Sequence, residues 1–411
     1  MKIKNVIASK GFSGFFYDDQ AAVKSHAKHD GFAYSGKPIT PGFRAIRIAG
    51  ESMSIVLVLD EDRIAYGDCV AVQYSGAAGR DPLFLADDYI PIVYEKIAPL
   101  MVGHEIGNFK DMAQEFDNLE IGGKRLHTAL RYGITQAILN AVSRTKHITM
   151  AEVICQEYGT QIQEEPVPIF AQSGDDRYDN ADKMIIKGIN VLPHGLINNV
   201  DEKLGRRGEK LMDYLSWLRT RVVQLGAPDY NPTFHLDVYG TFGQAFNNDT
   251  ELIADYIMNL ERISTPYHLR IEGPIDGGSK ENQIKAMREL RIRLKEIGSK
   301  TEIIADEWCN TLEDIKDFVH REAADMIQIK APDLGGINNT IEAILFCKKN
   351  NVGAYLGGSC NETDRSARIC AHIALATGPA QILAKPGMGV DEGVMLINNE
   401  MQRTLTIIKN R

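Results

Sequence analysis

The hydrophobic pattern of residues 161–411 alternates between short β-rich runs and longer amphipathic segments. In Glu209–Leu225 and Thr250–Ile263, apolar residues recur three and four positions apart, as on one face of an α-helix. The β-rich runs number eight and are Val167–Gln172, Met184–Leu192, Phe234–Val238, His268–Glu272, Glu302–Asp306, Met326–Lys330, Gly353–Gly357 and Gln381–Ala384. This alternation predicts parallel strands joined by helical crossovers, and eight such units close a barrel of about 250 residues. A doubly wound open sheet is the competing architecture.

The first 160 residues follow a different pattern. Residues 53–59 are β-rich, Asp60–Asp62 favours a turn, and Arg63–Gln73 is again extended, which predicts a β-hairpin. Helical periodicity follows, with one apolar face in Ala129–Ile138. Strands followed by a run of helices are typical of an α+β arrangement. The sequence therefore predicts an α/β protein with an N-terminal α+β domain over residues 1–160 and a (β/α) barrel domain over residues 161–411.

Composition and charge narrow the class of protein. Of the 411 residues, 44% are hydrophobic and 25% are charged, as in an ordinary globular protein. The formal charge of -9 argues against nucleic acid or an anionic membrane as a partner, since both require clustered positive charge. The apolar run Ile55–Leu59 is too short to cross a bilayer, and no apolar segment follows the basic start Met1–Lys4. Six scattered cysteines predict free thiols, so we expect a cytoplasmic protein.

Acidic residues end three successive predicted strands. Asp237, Glu272 and Asp306 are 35 and 34 residues apart, which is one strand plus one helix, and Lys330 ends the next strand. In a parallel barrel, residues at the carboxyl ends of the strands meet at one rim. A single acid in such a place is more often a helix cap, but three on successive strands are a more specific signal. Converging carboxylates repel one another, and Mg²⁺, which prefers oxygen ligands, would relieve that repulsion.

A lysine next to these acids indicates carbanion chemistry. A bound divalent cation lowers the pKa of a neighbouring amine, which can then act as a general base. Removal of a proton beside a metal-bound carboxylate gives an enediolate, which the metal stabilises more than it stabilises the substrate. Sites of this kind occur in the enolase superfamily. The pattern predicts a metal-dependent enzyme with Lys330 as its base.

Longer motifs carry a family resemblance over essentially the whole chain. They are His29–Phe32, Gly67–Gly76, Arg125–Gly133, Phe170–Asp179, Ala305–Asn310, Lys330–Gly336, Gly357–Thr363 and Lys385–Gly389. By these motifs the chain resembles the methylaspartate ammonia-lyase family, a branch of the enolase superfamily. The resemblance implies elimination of ammonia from (2S,3S)-3-methylaspartate to give mesaconate, a step of glutamate fermentation. It also implies an enolase-like fold in which the N-terminal domain caps the barrel.

The resemblance also implies roles for single residues. Asp237, Glu272 and Asp306 would bind Mg²⁺. Lys330 would take the proton from C3, and His194 would lie on the opposite face of the substrate. The implied substrate contacts are Gln328 for the metal-bound carboxylate, Ser359 and the backbone of Cys360 for the other carboxylate, Gln73 and Gln172 for the departing ammonium, and Phe170, Tyr355, Leu383 and Met388 for the methyl group. The resemblance further implies that a monovalent cation such as K⁺ is needed and that the protein is a homodimer. It also implies that the N-terminal domain acts as a lid.

Four alternatives stay open at this point. Ser359 stands where the family pattern has Thr, and the lost methyl group bears on the preference among 3-alkyl substrates. A racemase, cycloisomerase or dehydratase of the same superfamily is an alternative, although these commonly have Lys-x-Lys where this chain has Leu192–His194. A non-catalytic metabolite-binding barrel is the second alternative, but it would need no base. Cys360 could be a nucleophile, yet no activating partner is evident in the sequence.

Overall fold

The computed structural model describes residues 1–77, 79–387 and 390–411. The strands of its N-terminal part are β1 (Ile3–Asp18), β2 (Lys28–Asp30), β3 (Ala33–Ser35), β4 (Arg47–Leu59), β5 (Ile64–Cys69), β6 (Glu120–Ile121) and β7 (Lys124–Arg125). Its helices are α1 (Gln20–Ser25), α2 (Ala86–Ile92), α3 (Ala98–Met101), α4 (Phe109–Asp117), α5 (Thr128–Lys146) and α6 (Met150–Tyr158). This is the predicted α+β arrangement.

The predicted hairpin is the central element of a three-stranded antiparallel sheet with the order β1–β4–β5. Strands β4 and β5 pair around a turn at Asp60–Asp62. In β4, Ile55, Leu57 and Leu59 are fully buried and alternate with partly exposed residues, because successive side chains of a strand point to opposite faces. Strand β5 ends at Cys69, so the last four residues of the predicted extended run Arg63–Gln73 lie outside the sheet.

Helix α5 is buried on all sides from Ala129 to Ser143. The predicted apolar face is buried, and the polar side chains on the other sides of this helix find buried partners as well. Gln136, for example, donates a hydrogen bond to the carbonyl oxygen of Asp68 at 3.1 Å. The backbones of β5 and α5 approach so closely that a Cβ on Gly67 would lie 2.4 Å from the carbonyl oxygen of Gly133.

Eight parallel strands close a barrel within the described residues, and this confirms the predicted barrel over the open sheet. The strands are β8 (Ile169–Phe170), β9 (Val191–His194), β10 (Thr233–Asp237), β11 (Leu269–Glu272), β12 (Glu302–Ala305), β13 (Met326–Ile329), β14 (Gly353–Leu356) and β15 (Gln381–Leu383). Each pairs with its neighbours in the closed order β10–β11–β12–β13–β14–β15–β8–β9. Their carboxyl ends therefore share one rim.

Helices surround the barrel on the outside. They are α7 (Arg177–Ile186), α8 (Glu209–Leu225), α9 (Thr241–Ala245), α10 (Thr250–Ser264), α11 (Lys280–Glu296), α12 (Leu312–His320), α13 (Ala331–Leu334), α14 (Ile337–Lys349), α15 (Asp364–Thr377) and α16 (Val390–Lys409). The predicted second strand is too long, because Met184 and Ile185 are buried on α7 and the strand begins at Val191. Among the described residues, no helix is long and apolar enough to cross a membrane.

Candidate functional site

Three carboxylates converge at the carboxyl ends of neighbouring barrel strands. Asp237 and Glu272 end β10 and β11 and are paired in the strand register, and Asp306 directly follows β12. One carboxylate oxygen of each residue lies within 4.8 Å of those of the other two. The structure thus brings together the three acids whose spacing along the chain predicts a common rim.

This cluster of negative charge is unfavourable without a cation. Burial raises the pKa of Glu272 well above its ordinary value, and the charges of Asp237 and Asp306 raise it further. Burial and the charge of Asp306 likewise raise the pKa of Glu307, the next residue in the chain. A set of three buried or half-buried oxygen donors fits a hard divalent cation such as Mg²⁺, which keeps further positions for water or substrate.

Glu272 is held by a chain of hydrogen bonds inside the barrel. Arg270 donates to Oε1 of Gln381 at 2.7 Å, so the amide nitrogen of Gln381 faces Nδ1 of His235 at 2.9 Å. Nδ1 is then the acceptor, and Nε2 of His235 donates to Glu272 Oε2 at 2.7 Å. Burial, with the charge of Arg270, places the pKa of His235 well below its ordinary value. Gln328 donates to the other oxygen of Glu272 at 2.6 Å.

Lys330 and His194 lie on opposite sides of the rim, since β13 and β9 are four strands apart in the closed order. Lys330 Nζ is 2.9 Å from Asp306 Oδ1, and His194 Nε2 is 3.3 Å from Asp237 Oδ2. Burial is the largest influence on the pKa of Lys330 and lowers it, but the charges of Asp306, Glu307 and Asp333 together outweigh burial, so the pKa lies above its ordinary value in the protein alone. The pKa of Lys330 is therefore expected to fall only when a bound cation neutralises the neighbouring acids.

A cavity of about 160 Å³ lies between the barrel rim and the N-terminal part. Nine of the predicted catalytic, metal-binding and substrate-binding residues line it, namely Gln73, Gln172, His194, Asp237, Asp306, Gln328, Lys330, Ser359 and Cys360. Phe15, Asp18, Tyr34 and Tyr74 of the N-terminal part also line it. Asp237, Asp306 and Lys330 thus line a small space that is suited to a metabolite and is also lined by residues distant in sequence, whereas Glu272 lies beneath it.

The residue motifs and this geometry agree with comparisons to known proteins. The family model described as methylaspartate ammonia-lyase N-terminus matches residues 1–159, and the model of the C-terminus matches residues 161–410. The chain belongs to the methylaspartate ammonia-lyase family.

Members of the methylaspartate ammonia-lyase family are similar over the full chain. The methylaspartate ammonia-lyase of Clostridium tetanomorphum is 57% identical over 412 residues, which cover 100% of both chains. The crystal structure of β-methylaspartase from the same organism, a Mg complex, has a TM-score of 0.97 at 56% identity and 100% coverage of both chains. The structure of the Citrobacter amalonaticus methylaspartate ammonia-lyase containing (2S,3S)-3-methylaspartic acid has a TM-score of 0.98 at 50% identity, again with 100% coverage of both chains.

In this methylaspartate ammonia-lyase family member, the loop of residues 357–363 is fixed by a buried ion pair. Lys385 Nζ lies 2.7 Å from Glu362 Oε2 and donates to the carbonyl oxygen of Gly357 at 2.6 Å. The loop carries the predicted contacts to the second substrate carboxylate. Burial raises the pKa of Cys360 to about 12, which keeps the thiol protonated and argues against its use as a nucleophile.

Three of the four residues predicted for the methyl pocket pack together in the barrel interior. Phe170, Tyr355 and Leu383 are buried in one apolar cluster. The ring of Phe170 stacks on His235 with centroids 4.1 Å apart. None of the three is among the residues that line the described cavity, so their contact with the methyl group stays a prediction. Met388 lies outside the described residues.

Sequence reasoning missed a buried ion pair that joins the two parts of the chain. Arg80, in the loop between β5 and α2, has Nε 2.9 Å from Asp333 Oδ2 and lies 4.0 Å from Glu307 Oε2. Its side chain is 7% exposed and that of Asp333 is 6% exposed. The partners are 253 residues apart, and no periodic pattern connects them. Gln381 was also missed, although a polar residue in an apolar strand is a signal that could have revealed it.

Proposed function

We propose that the chain eliminates ammonia from (2S,3S)-3-methylaspartate to give mesaconate in a Mg²⁺-dependent reaction. Family membership supports the reaction, and relatives contain this substrate or Mg. The observation that carries the proposal is the convergence of the three acids Asp237, Glu272 and Asp306 beside Lys330 Nζ, next to a cavity lined by Asp237, Asp306 and Lys330.

Asp237, Glu272 and Asp306 would hold the cation. When bound, Mg²⁺ would neutralise these acids, lower the pKa of Lys330 and stabilise negative charge on the substrate carboxylate. Lys330 takes the proton from C3 of the substrate. His194, on the opposite side of the rim, faces the other side of C3, where it serves the C3 epimer or donates a hydrogen bond to the carboxylate.

The electron pair left at C3 forms the double bond to C2 as the bond from C2 to nitrogen breaks. Gln73 and Gln172 accept hydrogen bonds from the departing ammonium through their amide oxygens, without formal charge. A carboxylate in their place would hold the product too tightly. Gln328 binds the first substrate carboxylate, while Ser359 and the backbone of Cys360 bind the second.

We also propose the finer features that the family resemblance implies. Phe170, Tyr355, Leu383 and Met388 shape the methyl pocket, and residues 1–160 form a capping domain over a barrel domain of residues 161–411. The enzyme uses a monovalent cation, which substitution of K⁺ by tetramethylammonium tests, and forms a homodimer, which light scattering tests. It acts in the cytoplasm, and the six cysteines, all free of disulfide bonds in the structure, support this compartment.

The test is mesaconate formation, followed by ultraviolet absorbance, in wild type and Lys330→Ala. Wild type is expected to need Mg²⁺, and Lys330→Ala to lose about 10²–10⁴-fold in kcat, the usual contribution of a general base. Lys316→Ala, a change at a partly exposed lysine of α12 that pairs with Glu313, is the control and keeps full activity. If Lys330→Ala stays active, Lys330 is not the base. If folded, Mg²⁺-loaded wild type forms no mesaconate, the reaction itself is wrong.

A further inference from the structure

The carboxylate of Asp18 binds the side-chain amide of Gln73, which lies in the loop after β5. Asp18 ends β1, and its backbone N–H donates to the carbonyl oxygen of Gln73 at 3.0 Å. The side chain of Gln73 then donates through Nε2 to Asp18 Oδ2 at 2.7 Å. Gln73 is thus bound by Asp18 at both its main chain and its side chain.

This bond decides which end of the amide faces the cavity. An ionised carboxylate only accepts hydrogen bonds, so the NH₂ group of Gln73 must be the end that faces Asp18. Oε1 then points away from Asp18, and it lies 3.5 Å from Sγ of Cys360, a donor on the cavity wall. The amide therefore presents an acceptor, and not a donor, to a molecule in the cavity.

Arg47 holds Asp18 in place. The two residues are directly paired in the register of β1 and β4. Arg47 donates through Nε to Oδ1 and through Nη2 to Oδ2 of Asp18, both at 2.7 Å. The guanidinium also donates to the carbonyl oxygen of Phe32 at 2.8 Å and lies 4.5 Å from the centre of its ring. A bidentate ion pair of this kind fixes the orientation of the Asp18 carboxylate and also balances its charge.

We propose that Asp18, held by Arg47, is a positioning residue that sets the Gln73 amide so that its oxygen receives the departing ammonium. This inference rests on the proposed function. The charge of Asp18 polarises the amide toward Oε1 and strengthens it as an acceptor. Arg47 balances the charge of Asp18, so the cavity gains a stronger acceptor without a net negative charge that would hold the substrate's ammonium group too tightly for it to leave as ammonia.

The test is Asp18→Asn in the reverse reaction, the addition of ammonia to mesaconate. An asparagine can donate to Gln73 Oε1 and thereby turn the NH₂ group of Gln73 toward ammonium. The KM for ammonia is expected to rise about tenfold, the equivalent of one charge-assisted hydrogen bond, while the KM for mesaconate changes less than about twofold. A merely structural loss would change both values or kcat alone.

Asp19→Asn is the matched control. Asp19 is the adjacent and equally buried acid, but it accepts hydrogen bonds from the backbone and hydroxyl of Thr40 and from Ala22. Both KM values should stay at wild-type levels. If Asp18→Asn does not fold, Arg47→Lys replaces it, since lysine keeps the charge but not the bidentate ion pair, and the KM for ammonia should rise about threefold.

An unchanged KM for ammonia in the folded variant, with active wild type, overturns the positioning role and leaves the proposed function intact. An equal rise in Asp19→Asn also overturns it, because the effect would then be general to this loop. Wild type that neither forms nor consumes mesaconate overturns the proposed function, and the inference with it.

Discussion

The two walls of the cavity are built in different ways. On the barrel wall, Asp237, Glu272 and Lys330 lie at the ends of strands, and each contacts residues of the same rim or barrel interior. On the N-terminal wall, Gln73 lies in a loop and is positioned by Asp18 from a strand at the other end of the sheet order. The groups proposed for proton transfer and metal binding are thus on the rigid wall, and a group proposed for the leaving amine is on the more adaptable one.

Among substitutions that test this comparison, the largest loss of activity is expected for a residue of the barrel wall. Glu272→Gln removes one buried carboxylate from the proposed metal site, so we expect Mg²⁺ affinity and mesaconate formation to fall by about 10³-fold or more. Isothermal titration with Mg²⁺ and the absorbance assay measure the two losses. Glu313→Gln is the control, because the side chain of Glu313 on α12 is 76% exposed and pairs with Lys316, away from the hydrogen bonds that hold Glu272. Normal Mg²⁺ binding by Glu272→Gln would show that the metal lies elsewhere.

The next largest effect is expected for the ion pair of Arg80 and Asp333, which joins the two walls, and it concerns stability. Arg80→Met leaves Asp333 buried without its ion-pair partner, so we expect the free energy of unfolding to fall by about 3 kcal/mol. Urea unfolding measures this change. The double variant Arg80→Met/Asp333→Asn should recover part of the loss, since it removes the unpaired charge. Equal unfolding of wild type and Arg80→Met would mean that the pair does not hold the walls together.

The smallest effect should come from the end of the barrel away from the cavity. Burial alone would raise the pKa of Glu302, but His268 and Arg270 together lower it to about 2. A carboxyl group whose pKa is lower in the folded state stabilises the fold above its unfolded pKa of about 4.5, and the contribution is lost as the pH falls toward 2. Glu302→Gln should therefore be less stable by about 1 kcal/mol near neutral pH, a value reduced for the partial exposure of the pair.

Urea unfolding of wild type and Glu302→Gln across this pH range checks the sign. The difference in the free energy of unfolding should shrink steadily below about pH 4.5. A constant difference would mean that packing, and not the charge of Glu302, stabilises this end of β12. We expect the two ends of β12 to differ: the charge of Asp306 beside the cavity lowers the stability of the fold, and the charge of Glu302 at the other end raises it. A constant difference would contradict this expectation.

The barrel wall was largely predictable because the two strand and helix units that separate its three acids have nearly the same length, 35 and 34 residues. That regularity brings Asp237, Glu272 and Asp306 to one height, and the structure agrees. Local pattern was less reliable where helix and strand share apolar residues, so Met184–Ile186 was assigned to a strand although it ends α7.

The N-terminal wall had no comparable signal. Gln73 and Asp18 are 55 residues apart, and Arg80 and Asp333 are 253 residues apart, so their contacts depend on how loops fold over the barrel. Gln73 itself was found only through the family resemblance. Contacts of this kind follow from tertiary packing, which hydrophobic periodicity does not encode.

The complete burial of α5 limits how the enzyme can admit its substrate. If the N-terminal part moved away from the barrel as one body, α5 would expose apolar surface and break the hydrogen bond that Tyr132 donates to Glu362. Entry and exit are therefore expected to use local movement of a segment near the cavity, such as the exposed hairpin of β2 and β3 around Phe32. For the same reason, exchange of the N-terminal part between relatives will require the barrel surface that contacts α5 to be exchanged with it.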